Sequence, residues 1–408
     1  MVSDVAGADE WAGRFEQQAD ACSTLGSVLW ARLLRIVAVD VAAGGPSWDV
    51  VERRAELRYG QAGPLRLVGA AHRLALAGDA PEWAALLPSC GGSAAFDAPT
   101  DAELRAAWLA LVAEHGDALV AGLDREVQTN EVGRAAALGY AHAVALAHLG
   151  SGRRSGRDVT TSSAEAVGET EAMPARLIEL GCSGGLNLRL DRFRLELARG
   201  PRSTSGGLVL GDPDGPVRLV PDLLAAVDPD LSTSSTVRLV ERIGIDPHPI
   251  DPTTDDGRLT LLSFVWPDQV ERFERLAAAI ELAREVPASL VATAGRSTAE
   301  VLEEVLAGPA PPGVATIVQH SIVWQYIPTD QRSAVTAAIE SAGERATAEH
   351  PLVWVRFEPD VWDRTRVAVS VRSWPDGGDR LVAHADFHGR WLTPVPSGSV
   401  RRSTRKTL

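Results

Sequence analysis

Cysteine is scarce in this chain. The three present, Cys22, Cys90 and Cys182, lie far apart and form no C-x-x-C pair. That excludes a disulfide framework and a zinc ribbon. Excess positive charge is also missing: the net charge is -14 and the sequence pI about 5.2, which argues against nucleic acid as the main partner. The one basic stretch, "VRRSTRKTL", holds the lone lysine, Lys406, and is expected to be a solvated, disordered end over 397–408. No apolar run reads as long enough to cross a bilayer, and "MVSDVAGADEWAGRF" lacks the basic-then-apolar layout of a secretory signal. The expectation is a cytoplasmic protein with no membrane partner.

What is present is enough for large cores. The chain has 408 residues, 45% of them hydrophobic and 23% charged, so two domains are expected. The first third carries apolar residues at three- and four-residue spacing, as in "SVLWARLLRIVAVDVAAGG" with its closing glycine pair. Thr100 and Asp101 are candidate helix caps, with Glu103 in the first turn. Residues 1–149 therefore read as an all-α domain. Residues 150–174, rich in glycine, serine, threonine and charge, read as a flexible connector. Beyond it strands and helices alternate. "ARLIEL", "LTLLSFVWPDQ", "ASLVATAG" and "GVATIVQHSIVWQYIP" are strand candidates, each with a helix pattern after it, and "PLVWVRFEP", "TRVAVSVRSW" and "RLVAHADF" look like closing antiparallel strands. Residues 175–396 are thus expected to form an α/β, mostly parallel sheet of the Rossmann-like kind, with ligands at the carboxyl ends of its strands. Residues 191–258 read as a β-rich insertion.

The chemically suggestive stretch is "RLIELGCSGGLNLRLDRF", where an apolar strand leads to an acid and a glycine turn. A Walker loop fails, because Leu186 and Asn187 stand where lysine and serine or threonine are needed. A dinucleotide G-x-G-x-x-G matches only at Gly181. The remaining pattern is Glu179-x-Gly181-x-Ser183-x-Gly185. This resembles the first motif of class I S-adenosylmethionine-dependent methyltransferases, in which small residues let the backbone approach the donor and a helix N-terminus meets its carboxylate. A tight turn with no ligand is the plain alternative.

The resemblance implies S-adenosylmethionine as cofactor, held by Glu179, Gly181, Ser183, Gly185 and Asn187, with a strand-end acid on the ribose. Two places qualify: Asp246 in "RIGIDPHPID", and Asp268 in "LLSFVWPDQ", where Trp266 would stack on adenine. The strand–helix rhythm favours the second, leaving Asp246 and Asp251 to the insertion. In the fourth strand Gln319, His320 and Ser321 would line the sheet top, with Trp324 and Tyr326 beyond. Transfer is an in-line displacement, so the protein would position the acceptor, and His320 would take its proton. The alternative is a hydrogen-bonded core histidine.

At wider scale the chain resembles the bacterial family of domain of unknown function 2332. "LRLVGAAHRLALAGDAPEWAALLPS", "VQTNEVGRAAAL", "ELGCSGGLNLRLDRF", "RIGIDPHPID", "FVWPDQVERFERLAAAIELAR", "VQHSIVWQYIP" and "HADFHGRW" carry the likeness. The family's third strand ends in Gly-Asp where this chain has Gly295-Arg296, which departs from an acid at the adenine amino group.

"VQTNEVGR" clusters Gln128, Asn130, Glu131 and Arg134 at a helix start. They read either as a lid reaching a substrate or as a capped helix. "HADFHGRW" puts His384, Asp386 and His388 on one face if extended, a metal pattern or an ordinary edge strand. The expected function is methyl transfer to a small molecule bound between the two domains. A degenerate binding or sensing protein is the alternative. A serine hydrolase is a third, since "GCSGG" formally matches G-x-S-x-G around Ser183, with His384 or His388 as partner.

Overall fold

The computed structural model describes residues 6–92, 98–155, 173–198, 207–308, 310–376 and 378–396. Most of the expected connector and the whole basic tail lie outside them. The helices run α1 (Ala8–Thr24), α2 (Val28–Ala42), α3 (Pro46–Val51), α4 (Gly63–Ala77), α5 (Pro81–Ala84), α6 (Asp101–Leu123) and α7 (Ala135–Ser155). Later come α8 (Asp255–Ser263), α9 (Val270–Glu285), α10 (Thr298–Ala307) and α11 (Thr329–Glu344). The chain divides into two compact units, Met1–Thr129 with Thr254–Ala277, and Asn130–Thr253 with Ala278–Leu408.

The first unit is helical, as the periodicity predicts. Trp11, Trp30 and Trp108 are fully buried in its core beside Trp83, and Trp83 stacks on Trp30 at 6.5 Å. Thr100 and Glu103 form the expected reciprocal cap of α6: Thr100 Oγ1 accepts the Glu103 N–H, and Glu103 Oε2 accepts the Thr100 N–H at 2.8 Å. By length and composition α6 is also apolar enough to cross a membrane, contrary to the reading that no run is. Its Leu104, Trp108, Leu111 and Leu119 are core residues of the unit, while Asp101, Glu103 and Asp117 are charged positions along the same helix.

The stretch "LTLLSFVWPDQ" is not a strand. It is α8 and the turn after it, and belongs to the helical unit. Thr254 Oγ1 accepts the Gly257 N–H at 3.0 Å, and Asp255 and Asp256 stand in the first turn. That capped, acidic start makes the following apolar residues one face of a helix.

The second unit is built on a nine-stranded sheet. Its strands are β1 (Pro174–Leu180), β5 (Asp222–Leu223), β6 (Arg238–Asp246), β7 (Ser289–Ala292), β8 (Ala315–Ser321), β9 (Leu352–Pro359), β10 (Val367–Trp374), β11 (Gly378–Ala385) and β12 (Trp391–Pro394). A separate three-stranded sheet holds β2 (Arg194–Leu197), β3 (Leu208–Gly211) and β4 (Arg218–Leu219). The large sheet is ordered β5-β12-β11-β10-β9-β8-β1-β6-β7. Strands β7, β6, β1, β8 and β9 are parallel, and β10, β11 and β12 close it antiparallel. Strand β9, expected to be antiparallel, pairs parallel with β8 on one side and antiparallel with β10 on the other. Helix α7 packs on β9, β10 and β11, while α10 and α11 contact β6, β9 and β10. The architecture is Rossmann-like, an α/β sheet with helices.

The true second strand is β6, inside the stretch read as insertion. It pairs parallel with β1, Glu179 opposite Gly244 and Leu180 opposite Ile245. Strand order reverses between β1, flanked by β6, and β8, which comes later in the chain. That switch point is where open α/β sheets take ligands.

Candidate functional site

The glycine turn leaves β1 in an unusual backbone. Gly181, Ser183 and Gly185 all have positive φ, at 65°, 52° and 63°. Glycine takes that region freely and serine rarely does. Added Cβ atoms have no room: at Gly181 one would lie 2.4 Å from Val323 Cγ2, and at Gly185 2.7 Å from Leu290 Cδ2. The turn leads not into an α-helix but into a 3-10 segment over Leu186–Arg192, kinked at Arg189. Cys182 is a space-filler. It packs over Gly244, and burial pushes its thiol well above the ordinary value.

The turn's polar groups are engaged within the unit. Ser183 N–H donates to Asp246 Oδ2 at 2.9 Å, and His248 N–H donates to Asp246 Oδ1 at 2.9 Å. Leu186 N–H donates to Asn130 Oδ1 at 3.0 Å, while Asn130 Nδ2 donates to Cys182 O at 3.3 Å. Asn130 thus sits on the start of the segment where an incoming anion would bind. Arg189 closes the far side, donating to Gly185 O and Val286 O at 2.7 Å each.

Beneath the turn lies a polar cluster on the α7 face of the sheet. Glu179 and Gln319 are register partners, so their side chains stand side by side. Gln319 also lies beside His142 of α7. Burial pushes the Glu179 carboxyl up to about 8, opposed by Gln319, Arg134 and Arg189, and burial holds His142 down at about 4. Near neutral pH Glu179 is mostly protonated and His142 is uncharged. Glu179 Oε2, Ser183 Oγ and Asn187 Oδ1 are buried and make no hydrogen bond to any described group. Each such atom costs about 1–3 kcal/mol if it stays unsatisfied.

The segment expected to be a lid divides. Gln128 belongs to the first unit, and Asn130, Glu131 and Arg134 to the second. Glu131 caps a short 3-10 turn through Gly133 N–H at 3.0 Å, and its carbonyl accepts from Asn187 Nδ2 at 3.3 Å. Arg134 donates to Ser321 O and Phe387 O, both at 3.1 Å. These residues join the glycine turn, the end of β8 and the β11–β12 turn.

On the opposite face His320 forms a second constellation. Its Nδ1 lies 2.6 Å from Glu358 Oε1, and that oxygen also accepts the N–H groups of Val323 at 3.1 Å and Trp324 at 3.2 Å. The two N–H groups reach Glu358 because Ile322 takes φ 55°, costing about 1–3 kcal/mol for a β-branched residue. Trp324 stacks on the imidazole at 5.0 Å and 20°, and the Trp354 ring lies 6.0 Å away. Sequence reasoning missed Glu358, whose role comes only from the β8–β9 register, His320 opposite Arg356.

Other expected site residues are placed elsewhere. Asp268 lies in the helical unit and caps α2: its carboxylate accepts from Ser27 Oγ at 2.6 Å and Leu29 N–H at 2.8 Å. Trp266 is buried in that unit's core with the Arg272 guanidinium 5.7 Å from its ring. Neither stands at a strand end of the sheet, and Asp246 does. Tyr326 is 73% exposed. Arg296 makes a surface ion pair with Glu304 at 2.7 Å.

Strand β11 ends at Ala385, so His384, Asp386 and His388 do not share an extended face. His384 Nδ1 lies 3.5 Å from Asp360 Oδ2, and Asp386 pairs with Arg390 at 2.7 Å. Four strand spacings separate β11 from β1, about 19 Å, so His384 does not reach Ser183. Among the described residues no group of three His, Cys, Asp or Glu is placed to hold a metal ion. A hollow lined by Gly139, Leu190, Leu195 and Leu210 is apolar, and Asp191 beside it is committed to Arg242 at 2.7 Å.

No curated protein and no solved structure matches the chain. One family model does, over residues 12–393. Its span takes in both units, the glycine turn, Asp246, His320 and Glu358. The chain therefore belongs to the family described as an uncharacterized protein conserved in bacteria, domain of unknown function 2332.

Proposed function

We propose that the Rossmann-like unit binds a small polar molecule at the carboxyl edge of β1 and β8, and that its glycine turn is a structural joint rather than a cradle for S-adenosylmethionine. Asn130 carries this reading. A donor carboxylate needs open N–H groups at the turn and at the start of the segment after it. Here Asn130 holds Leu186 N–H and Asp246 holds Ser183 N–H. Val323 and Leu290 fill the spaces over Gly181 and Gly185. Asp246, at the place for ribose hydroxyls, accepts a backbone N–H on each oxygen. Held this way, these residues do not fit the donor.

The atoms without a hydrogen-bond partner in this cluster include Glu179 Oε2, Ser183 Oγ and Asn187 Oδ1, with both amide atoms of Gln319 and both ring nitrogens of His142. Buried polar groups are rarely left unpaired, and a molecule with both donors and acceptors satisfies this set. A protonated Glu179 offers it an O–H. Ligand binding without turnover is the degenerate alternative to a working transferase.

A transferase remains the second reading, and one observation favours it: Asp246 ends the strand beside β1, where the resemblance asks for an acid. A hydrolase has less behind it, since Ser183 Oγ bonds no histidine. Calorimetric titration with S-adenosylmethionine and S-adenosylhomocysteine tests the proposal, with Gly185→Arg as control. No heat is expected from either ligand. Micromolar binding that Gly185→Arg abolishes overturns the proposal and restores methyl transfer.

A further inference from the structure

We propose that His320, on the face of the sheet opposite Glu179, is a proton-accepting group at the carboxyl end of β8, with Glu358 as its positioning residue and Trp324 as its cover, for a small molecule that presents a hydroxyl or other protonated donor. It goes beyond the ligand-binding proposal, whose unpaired atoms lie on the other face of the sheet.

A core histidine usually satisfies both ring nitrogens, and His72 of the helical unit does so. Its Nδ1 lies 3.1 Å from Ser263 O and its Nε2 2.8 Å from Ser89 Oγ. His320 is built differently. Glu358 Oε1, fixed by the Val323 and Trp324 N–H groups, lies 2.6 Å from Nδ1 and places the proton there. That leaves the lone pair on Nε2. Nε2 is buried and bonds no described group, and the same is true of Trp354 Nε1 and Glu358 Oε2 in the same cluster. An acceptor and an indole donor thus stand together, with aromatic rings around them. The strained backbone that aims the two N–H groups at Glu358 is confined to Ile322, at the end of the strand beside the switch point.

Chemically, Nε2 forms an N–H bond as the ligand's O–H breaks, and the electron pair stays on the ligand oxygen. The imidazolium so formed faces the Glu358 carboxylate, which holds its orientation. Trp324, stacked over the ring and only half-buried, is the group that must move to admit the ligand.

Diethyl pyrocarbonate, which acylates an unprotonated imidazole nitrogen, tests this on the full chain with peptide mass spectrometry. His320 is expected to react at least tenfold faster in Trp324→Ala than in the wild type. Adding Glu358→Gln is expected to lower that rate about twofold, since a carboxamide fixes neither tautomer and Nε2 is then protonated in part of the molecules. Nitrogen-15 spectra of the wild type should show the Nδ1–H tautomer, and Glu358→Gln should mix the two. An unreactive His320 in folded Trp324→Ala, or an Nε2–H tautomer in the wild type, overturns the proposal. If Trp324→Ala does not fold, Trp324→Phe and the wild-type tautomer decide. None of these readouts involves S-adenosylmethionine, so calorimetric binding of the donor overturns the closed-turn reading and leaves this result standing.

Discussion

Glu179 is a carboxyl shut away from water, 2% exposed at the end of a central strand. Its proton is retained up to about 8 against an ordinary 4.5. Between those values the folded chain binds more protons at this site than the unfolded chain. The contribution to stability is therefore full below about pH 4.5 and is lost as pH rises toward 8. The slope is at most about 1.4 kcal/mol per pH unit. Glu179→Gln keeps the shape and removes the titration. Thermal melts from pH 5 to 8 should show the wild type losing stability relative to Glu179→Gln, and parallel curves would refute the raised proton affinity. Glu179 itself was legible as the acid before the glycine turn. Its partner Gln319 was legible only as a member of another strand, because the register that sets them side by side is a long-range fact. Glu358 was not legible at all, since in "PLVWVRFEP" it reads as the polar end of a closing antiparallel strand.

At the scale of elements, the caps decided more than the apolar runs did. Thr254 with Asp255 and Asp256 starts α8, and this turned an apparent strand into a helix and moved Trp266 and Asp268 away from the sheet. Asp268 then serves α2, where Ser27 Oγ also accepts the Trp30 N–H at 3.3 Å. A carboxylate on open N–H groups at a helix start is worth about 1–2 kcal/mol. Asp268→Ala should therefore lower stability by about that amount in urea titration. It should leave the His320 tautomer unchanged, because Asp268 belongs to the other unit. A shifted tautomer would contradict the placement of Asp268 in the helical unit. Strand β6 went unread for the converse reason. Its burial pattern, exposed at Arg238 and closing on four buried residues, gives a strong signal only at its end.

For the whole molecule, the helical unit is not one stretch of chain. It takes Thr254–Ala277 from far along the sequence, including α8, which packs on α4, and the cap of α2. A fragment of residues 1–149, the boundary read from composition, lacks these. It should show no cooperative thermal transition by calorimetry, whereas the full chain should. A cooperative melt of 1–149 would mean that the returning segment adds little. Acid should weaken both units separately. His72 in one and His142 in the other are held at about 4 by burial, so each contributes stability above about pH 6.5 that is lost as pH falls through 4.

Local chemistry by itself determined the helical first third, the glycine turn with its acid, and the alternation that makes a Rossmann-like sheet. Apolar period, cap residues and turn residues act over a few positions and are written in order along the chain. Tertiary structure decided which acid ends the strand beside β1, what holds the turn's N–H groups, and which carboxylate meets His320. Those answers depend on strand order and register, which bring together residues as distant as Asn130 and Leu186, or His320 and Glu358. Adjacency across a sheet is set by packing, and no short stretch of sequence encodes it.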